Sequence, residues 1–423
     1  MAIAFGCSGW TVLLVALATP VASDAPDQDL LTQAARLAAT VKSLDSRASA
    51  FAEVALRYDR AGLEDAERFW RLAWECALAV DDDLARVLAR RAVLGRLIQV
   101  PARLDDAARQ ASDILQAAAN LPTAMDRALA SRELAAVIAR AFPDIARKAL
   151  DQAASAAQTI REPLLKAQSL AETAQVMAET GLIPATDTLS LAIDAWRAAA
   201  PSVERDLAAA DIVRVAAVVD ASLAKAVIEQ IGDVQAKANA LRAFGEALAE
   251  VDVSKALLAV REIGDPTLRA LAMAGVSVQA AARDPALAAR IARDAVRSTA
   301  QAGAPMRGAV LEAAVPALAL SAPEEALGLV KDIENDVSRG EALAKAAALL
   351  APVRPALAAE FLQKADQPEL AEPVWPEVLY YLAAEDPKRA LELADKILER
   401  YLRVRAVLRI WDRLSDKGDI RAR

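Results

Sequence analysis

The stretch "RALAMAGVSVQAAARDPALAARIARDA", residues 269–295, is rich in alanine and holds no histidine, cysteine or aromatic ring. Its punctuation is Asp284–Pro285. Proline has no amide hydrogen and a φ fixed near the helical value, so it suits the first turn of a helix and breaks an interior. An aspartate just before it can accept from the exposed amides of that turn. The stretch therefore reads as a helix of about 13 residues, a short turn, and a second helix starting at Pro285. Ala288 falls in the first turn of that second helix, where a small side chain lets two helices approach closely.

The same pattern recurs. With the basic residue Arg269 as anchor, equivalent positions are Arg47, Arg86, Arg127, Lys166, Arg205, Lys237, Arg307, Arg339 and, without the charge, Ala371; Arg403 opens a last partial unit. Successive spacings are 39, 41, 39, 39, 32, 32, 38, 32, 32 and 32 residues. Sixteen residues after the anchor stands Pro143, Pro285, Pro323, Pro355 or Pro387, and nineteen after it an alanine in nine units: Ala66, Ala146, Ala185, Ala224, Ala256, Ala288, Ala326, Ala358 and Ala390. The unit 86–126 departs, with Asp105 there. Apolar residues continue the face at helical spacing, as in Leu329, Val330 and Ile333. Turns between units again carry proline, in "GDPTLR" (264–269), "REPLLK" (161–166) and "DQPELA" (366–371).

A helix pair has an apolar face that it cannot bury alone, and a period of this length signals stacking of such pairs. The expectation is an all-α, right-handed α-solenoid of about ten stacked antiparallel helix pairs, with a concave and a convex surface. Residues 24–204 form a first half of long units, 205–415 a second half of mostly 32-residue units, and 416–423 a flexible tail. The extra residues of the long units should lengthen the second helix or its exit loop. Helix–turn–helix units with a small residue early in the second helix resemble the tetratricopeptide-like and HEAT-like α-solenoid families over nearly all of 30–415. The tetratricopeptide start Trp-x-x-Leu-Gly-x-x-Tyr is lacking; the 269 unit reads "ALAMAGVSV". The resemblance implies a protein-interaction scaffold.

Composition bounds the rest. Of 423 residues 55% are hydrophobic and 26% charged, with 4% aromatic and about a quarter alanine, a mixture that favours helix. The net charge of −8 and a pI near 5.1 argue against a nucleic-acid partner. Residues 1–23 carry an apolar run from Trp10 to Ala18, then Pro20, Ala22 and Ser23, and read as a secretory signal cleaved after Ser23. The run is shorter than the roughly 20 residues of a membrane span, so no transmembrane span is expected after cleavage and the location is periplasmic or extracellular. Cys7 precedes that run, and Cys76, in an apolar helix, is expected to be a buried core residue.

With no histidine in the chain, Ser–His–Asp and Cys–His arrangements and histidine-containing zinc sites are excluded. No glycine-rich phosphate loop is present. No cofactor, metal or catalytic residue is expected. "VDDDLAR" (80–86) lacks the spaced ligands and glycine turn of a calcium loop and reads as a helix cap. The remaining candidates bind protein. Aromatic residues gather at the two ends: Phe51, Tyr58, Phe69, Trp70 and Trp74 in the first mature units, Trp375, Tyr380, Tyr381, Tyr401 and Trp411 in the last. Either terminal repeats fill their cores with larger groups for want of a neighbour, or Trp70, Trp74, Trp375, Tyr380, Tyr381 and Trp411 anchor a partner. The basic anchors Arg127, Lys166, Arg205, Lys237, Arg269, Arg307 and Arg339 oppose the dipole of their own helix. They either pair with acids such as Asp206, Glu262 or Asp332 of the adjacent unit, or form a stripe gripping an acidic segment. The functional expectation is an exported scaffold or a subunit of an envelope complex. The alternative is an α/α-toroid hydrolase or lyase acting on envelope polysaccharide.

Overall fold

A computed structural model describes residues 26–299, 304–365 and 367–422; residues 1–23, expected to be a signal, lie outside them. The described residues form helices and turns, with no strand among them. Each repeat has a first helix carrying the anchor in its opening turns and a second helix packed back on it, as in Pro266–Ala281 with Pro285–Ser298 and Val234–Ala249 with Val253–Arg261. The fold is the solenoid-like helical repeat that the period implied.

The repeat positions have the expected burial. All nine alanines nineteen residues after the anchor are buried, from Ala66 to Ala390. Unit 86–126 keeps the rule with a shift of two residues: a short turn of helix, Pro101–Arg103, lies between its helices, and Ala107, fully buried, stands where Asp105 was aligned. The two helices of one repeat come close at Gly245, where a Cβ would lie 2.6 Å from the Val260 side chain of the second helix. Caps end the helices as the sequence implied. Asp284, Asp386 and Asp265 accept from backbone amides of the turns they precede, with Pro285, Pro387 and Pro266 behind them. Asp82 of the acidic triplet accepts from Ala85 and starts Asp83–Leu97.

Long and short units differ in the second helix. It runs 13 residues in Ala66–Leu78 and 16 in Pro143–Gln158, against 9 in Ala221–Glu229 and 8 in Pro323–Val330. The helices gather into two compact units, and Pro163–Thr180 packs on Val203–Val219 across the expected change of unit length at 205. One unit is contiguous, Ala102–Val374. The other joins the chain ends, Met1–Pro101 with Trp375–Arg423.

In that second unit the stack does not stop at a free end, as an open array of repeats implied. Arg400–Ala422 is a first helix and the last one described, and Pro26–Ala39 is a second helix with no first helix described before it. The two pack on each other, and Arg400–Ala422 also packs on Leu44–Arg60 and Trp375–Leu382. Ala34, thirteen residues before Arg47, is fully buried and occupies the place of the repeat alanine. Each end covers the apolar face that the other would expose. Arg400 donates to the Thr40 carbonyl at 2.6 Å across this joint. The last helix, Arg400–Ala422, takes in residues 416–422.

Candidate functional site

The basic anchors have a structural role that sequence reasoning did not identify. Arg47, Arg127, Arg269, Arg339 and Arg403 each donate to the main-chain carbonyl six residues earlier, on Val41, Leu121, Ile263, Ile333 and Ile397, at 2.7 to 3.1 Å. Those carbonyls follow the last turn of the preceding second helix, where carbonyls lack intrahelical partners and the dipole is negative. The guanidinium thus serves the C-terminus of one repeat from the N-terminus of the next. The acceptor residues are themselves buried apolar plugs, a recurrence six residues before the anchor that was open to reading in the sequence.

Among the described residues four anchors pair with acids: Arg86 with Asp83 and Arg339 with Asp336, each three residues earlier on its own helix, and two others. Arg205 meets Asp206, its chain neighbour, at 2.8 Å, and Arg307 meets Asp332 of its own repeat at 3.1 Å. Asp206 is buried and also accepts from the Gly232 and Asp233 amides at 2.9 Å. Burial pushes its carboxyl up, but those amides and Arg205 outweigh burial and hold it low. Lys166 and Lys237 are half-buried and make no hydrogen bond or ion pair among the described residues. The ion-pair ladder between adjacent first helices lies elsewhere, in Arg132–Glu172 at 2.6 Å, Lys345–Glu312 at 3.0 Å and Arg409–Glu377.

The aromatic candidates divide by exposure. Trp70 and Trp411 are buried; Trp70 bonds the Asp59 carboxylate. The Phe69 ring stacks on Phe51 and meets Tyr58 at a tilt, with centroids 6.3 and 4.7 Å away. Trp74, Trp375, Tyr380 and Tyr381 are half-buried. Tyr380 and Tyr381 meet edge to face at 5.0 Å, and the Arg409 and Arg413 guanidiniums lie over the Tyr380 ring at 4.7 and 5.4 Å.

A charged pocket of about 320 Å³ opens beside this patch in the unit built from the chain ends. Three first helices line it: Arg405, Arg409 and Asp412 from Arg400–Ala422, Glu53, Leu56, Arg57 and Arg60 from Leu44–Arg60, and Arg96 from Asp83–Leu97, with Gln99 just beyond. Its floor is an ion network. Arg57, buried, grips Asp412 through two nitrogens at 2.7 and 3.1 Å and also meets Glu53. Arg96 reaches Glu53 at 2.8 Å. Burial pushes the Glu53 carboxyl up, but the charges of Arg57 and Arg96 outweigh burial and hold it below the usual carboxylate range. Burial also pushes up the Tyr401 phenol, aided by the Glu53 charge. At the mouth, Arg60 bonds only the Gln99 side chain, at 3.0 Å, and Arg405 lies over the Tyr401 ring at 5.9 Å with no carboxylate partner among the described residues.

None of these arginines shares a repeat register with all the others, so periodicity did not single them out. The available signal was their density at the chain ends, in "RRAVLGR" (90–96) and "RYLRVRAVLRIWDR" (400–413).

No family model matches the chain, and no curated protein matches it. Among solved structures, the crystal structure of Ton1535 from Thermococcus onnurineus NA1 is similar over 84% of this chain and 98% of that one, at 15% identity and a TM-score of 0.34. The chain is an all-α helical-repeat protein of solenoid-like fold.

Proposed function

We propose that this protein is an exported, non-enzymatic interaction scaffold, or a subunit of an envelope complex, that docks a protein partner on the first-helix face of the unit built from the chain ends. The observation that carries the reading is the patch of half-buried Tyr380 and Tyr381, edge to face, with Arg409 and Arg413 over the Tyr380 ring. Tyrosine and arginine dominate the energetics of protein interfaces, and here both are held in place by neighbours. The Glu53 carboxylate beside the patch supports binding over proton transfer: it is locked in ion pairs and held below the usual carboxylate range, whereas a general acid needs a raised pKa. Export rests on the sequence of residues 1–23.

Affinity purification of the full chain from the envelope fraction, with mass spectrometry, tests the reading. A partner retained by the wild type and lost with Tyr380→Ala and Tyr381→Ala, with helicity unchanged, is the expected outcome. Equal capture by the variant would overturn it.

A further inference from the structure

We propose that the arginine pocket binds a small oxyanion carrying two or more negative charges, a phosphate or a compact polycarboxylate. This site does not depend on a protein partner.

The charge inventory is the first argument. Five arginines line the pocket (Arg57, Arg60, Arg96, Arg405 and Arg409) against two carboxylates, Glu53 and Asp412. Glu377, which pairs with Arg409 from outside the lining, leaves a surplus of at least two. This concentration of positive charge stands in a chain whose net charge is −8. An occupant with two or three negative charges neutralises it.

Preorganisation is the second. Arg57 is buried and clamped by Asp412 and Glu53, and Arg96 is tied to the same Glu53, so the floor is rigid before any ligand arrives. Arg60 and Arg405 stand at the mouth with donors that no carboxylate among the described residues occupies. A planar guanidinium presents paired N–H groups that match the oxygens of carboxylate and phosphate. Space is the third argument: about 320 Å³ holds such a group with its ordered water. The lining is almost wholly polar, which disfavours an apolar ligand.

Calorimetric titration of the full-length protein with inorganic phosphate and, separately, with citrate tests the site at constant ionic strength held by chloride. One bound anion per chain is expected from at least one of the two, and which one binds distinguishes phosphate from carboxylate recognition. Arg405→Gln should weaken that binding about tenfold to a hundredfold, the loss of one charge-assisted hydrogen bond, and Arg60→Gln should act similarly. Both variants should melt close to the wild-type temperature, because Arg60 loses one surface hydrogen bond, Arg405 one ring contact, and neither loses an ion pair among the described residues. Arg147→Gln, in the other unit, should bind as wild type does. Binding of neither anion, or undiminished binding by both mouth variants, would overturn the proposal.

Discussion

The contiguous unit, Ala102–Val374, and the unit made from the two chain ends solve one packing problem with different materials. In the contiguous unit, neighbouring repeats adjoin in sequence, and small residues such as Ala146, Ala224 and Ala288 bring the helices together. Aromatic side chains are sparse there: Phe142, Trp196, Phe244 and Phe361. In the other unit the partners lie far apart along the chain. Arg57 and Asp412 are separated by 355 residues, and the same unit buries Phe51, Tyr58, Phe69, Trp70 and Trp411. Short tethers keep the loss of chain entropy small and let alanine packing suffice. Joining two distant ends requires more burial per residue and a contact that rejects wrong registers, which large rings and a directional ion network supply.

The largest effect that can break this comparison is expected at Arg57. Arg57→Leu leaves Asp412 without its cation and the buried Glu53 with Arg96 alone, and breaking a buried pair costs about 3–5 kcal/mol. Urea unfolding followed by tryptophan fluorescence should show it, because Trp70, Trp74, Trp375 and Trp411 lie in the end-built unit and Trp196 in the other. The Cys76 thiol, buried and pushed up to about 11 by burial, should become open to alkylation in the variant at urea concentrations where the wild type resists. A shift no larger than that of an exposed substitution would remove the special status of the network.

Next is alanine packing in the contiguous unit. Ala288→Leu overfills a site with no free space and should cost about 1–3 kcal/mol by circular dichroism, whereas Ala286→Leu, exposed two residues away, should be nearly neutral. Equal effects would mean that the repeat alanine is not the contact point.

Acid should act on the network in a defined sense. The folded Glu53 carboxyl lies below its ordinary value, so its stabilisation is present above the unfolded pKa of about 4.3 and is lost as pH falls through the folded value. Melting temperature against pH should therefore fall more steeply below about 4.3 in the wild type than in Glu53→Gln. Parallel curves would contradict this. The smallest effect separates two anchors: Arg269→Gln loses the bond to the Ile263 carbonyl and about 1 kcal/mol, whereas Lys237→Gln, with no bond to lose, should be neutral.

Legibility in the sequence followed locality. Pro285 and Asp284 act within one turn, and Ala288 within one helix pair, so spacing alone revealed them. The two-residue shift in unit 86–126 was readable only once Pro101–Arg103 was seen as a turn of its own. Ala34 and Arg403 keep the repeat register at the two ends, but the meeting of Pro26–Ala39 with Arg400–Ala422 does not follow from it, because period describes neighbours and not ends. The same non-locality hid the pocket, whose floor joins Arg57 to Asp412. The anchors were visible as a recurrence, but their acceptors are carbonyls, which carry no side-chain signature.

The joint between the chain ends can be measured directly. Lys42 and Leu398 are exposed and line one cavity on its two sides. Cysteines at these two positions, in a Cys7→Ser, Cys76→Ala background, take a pair of spin labels whose separation electron resonance reads. Packed ends require a single short, narrow distance that broadens and lengthens in urea together with the loss of tryptophan signal. A long or broad distance in the native protein would show an open stack with free ends and contradict the account.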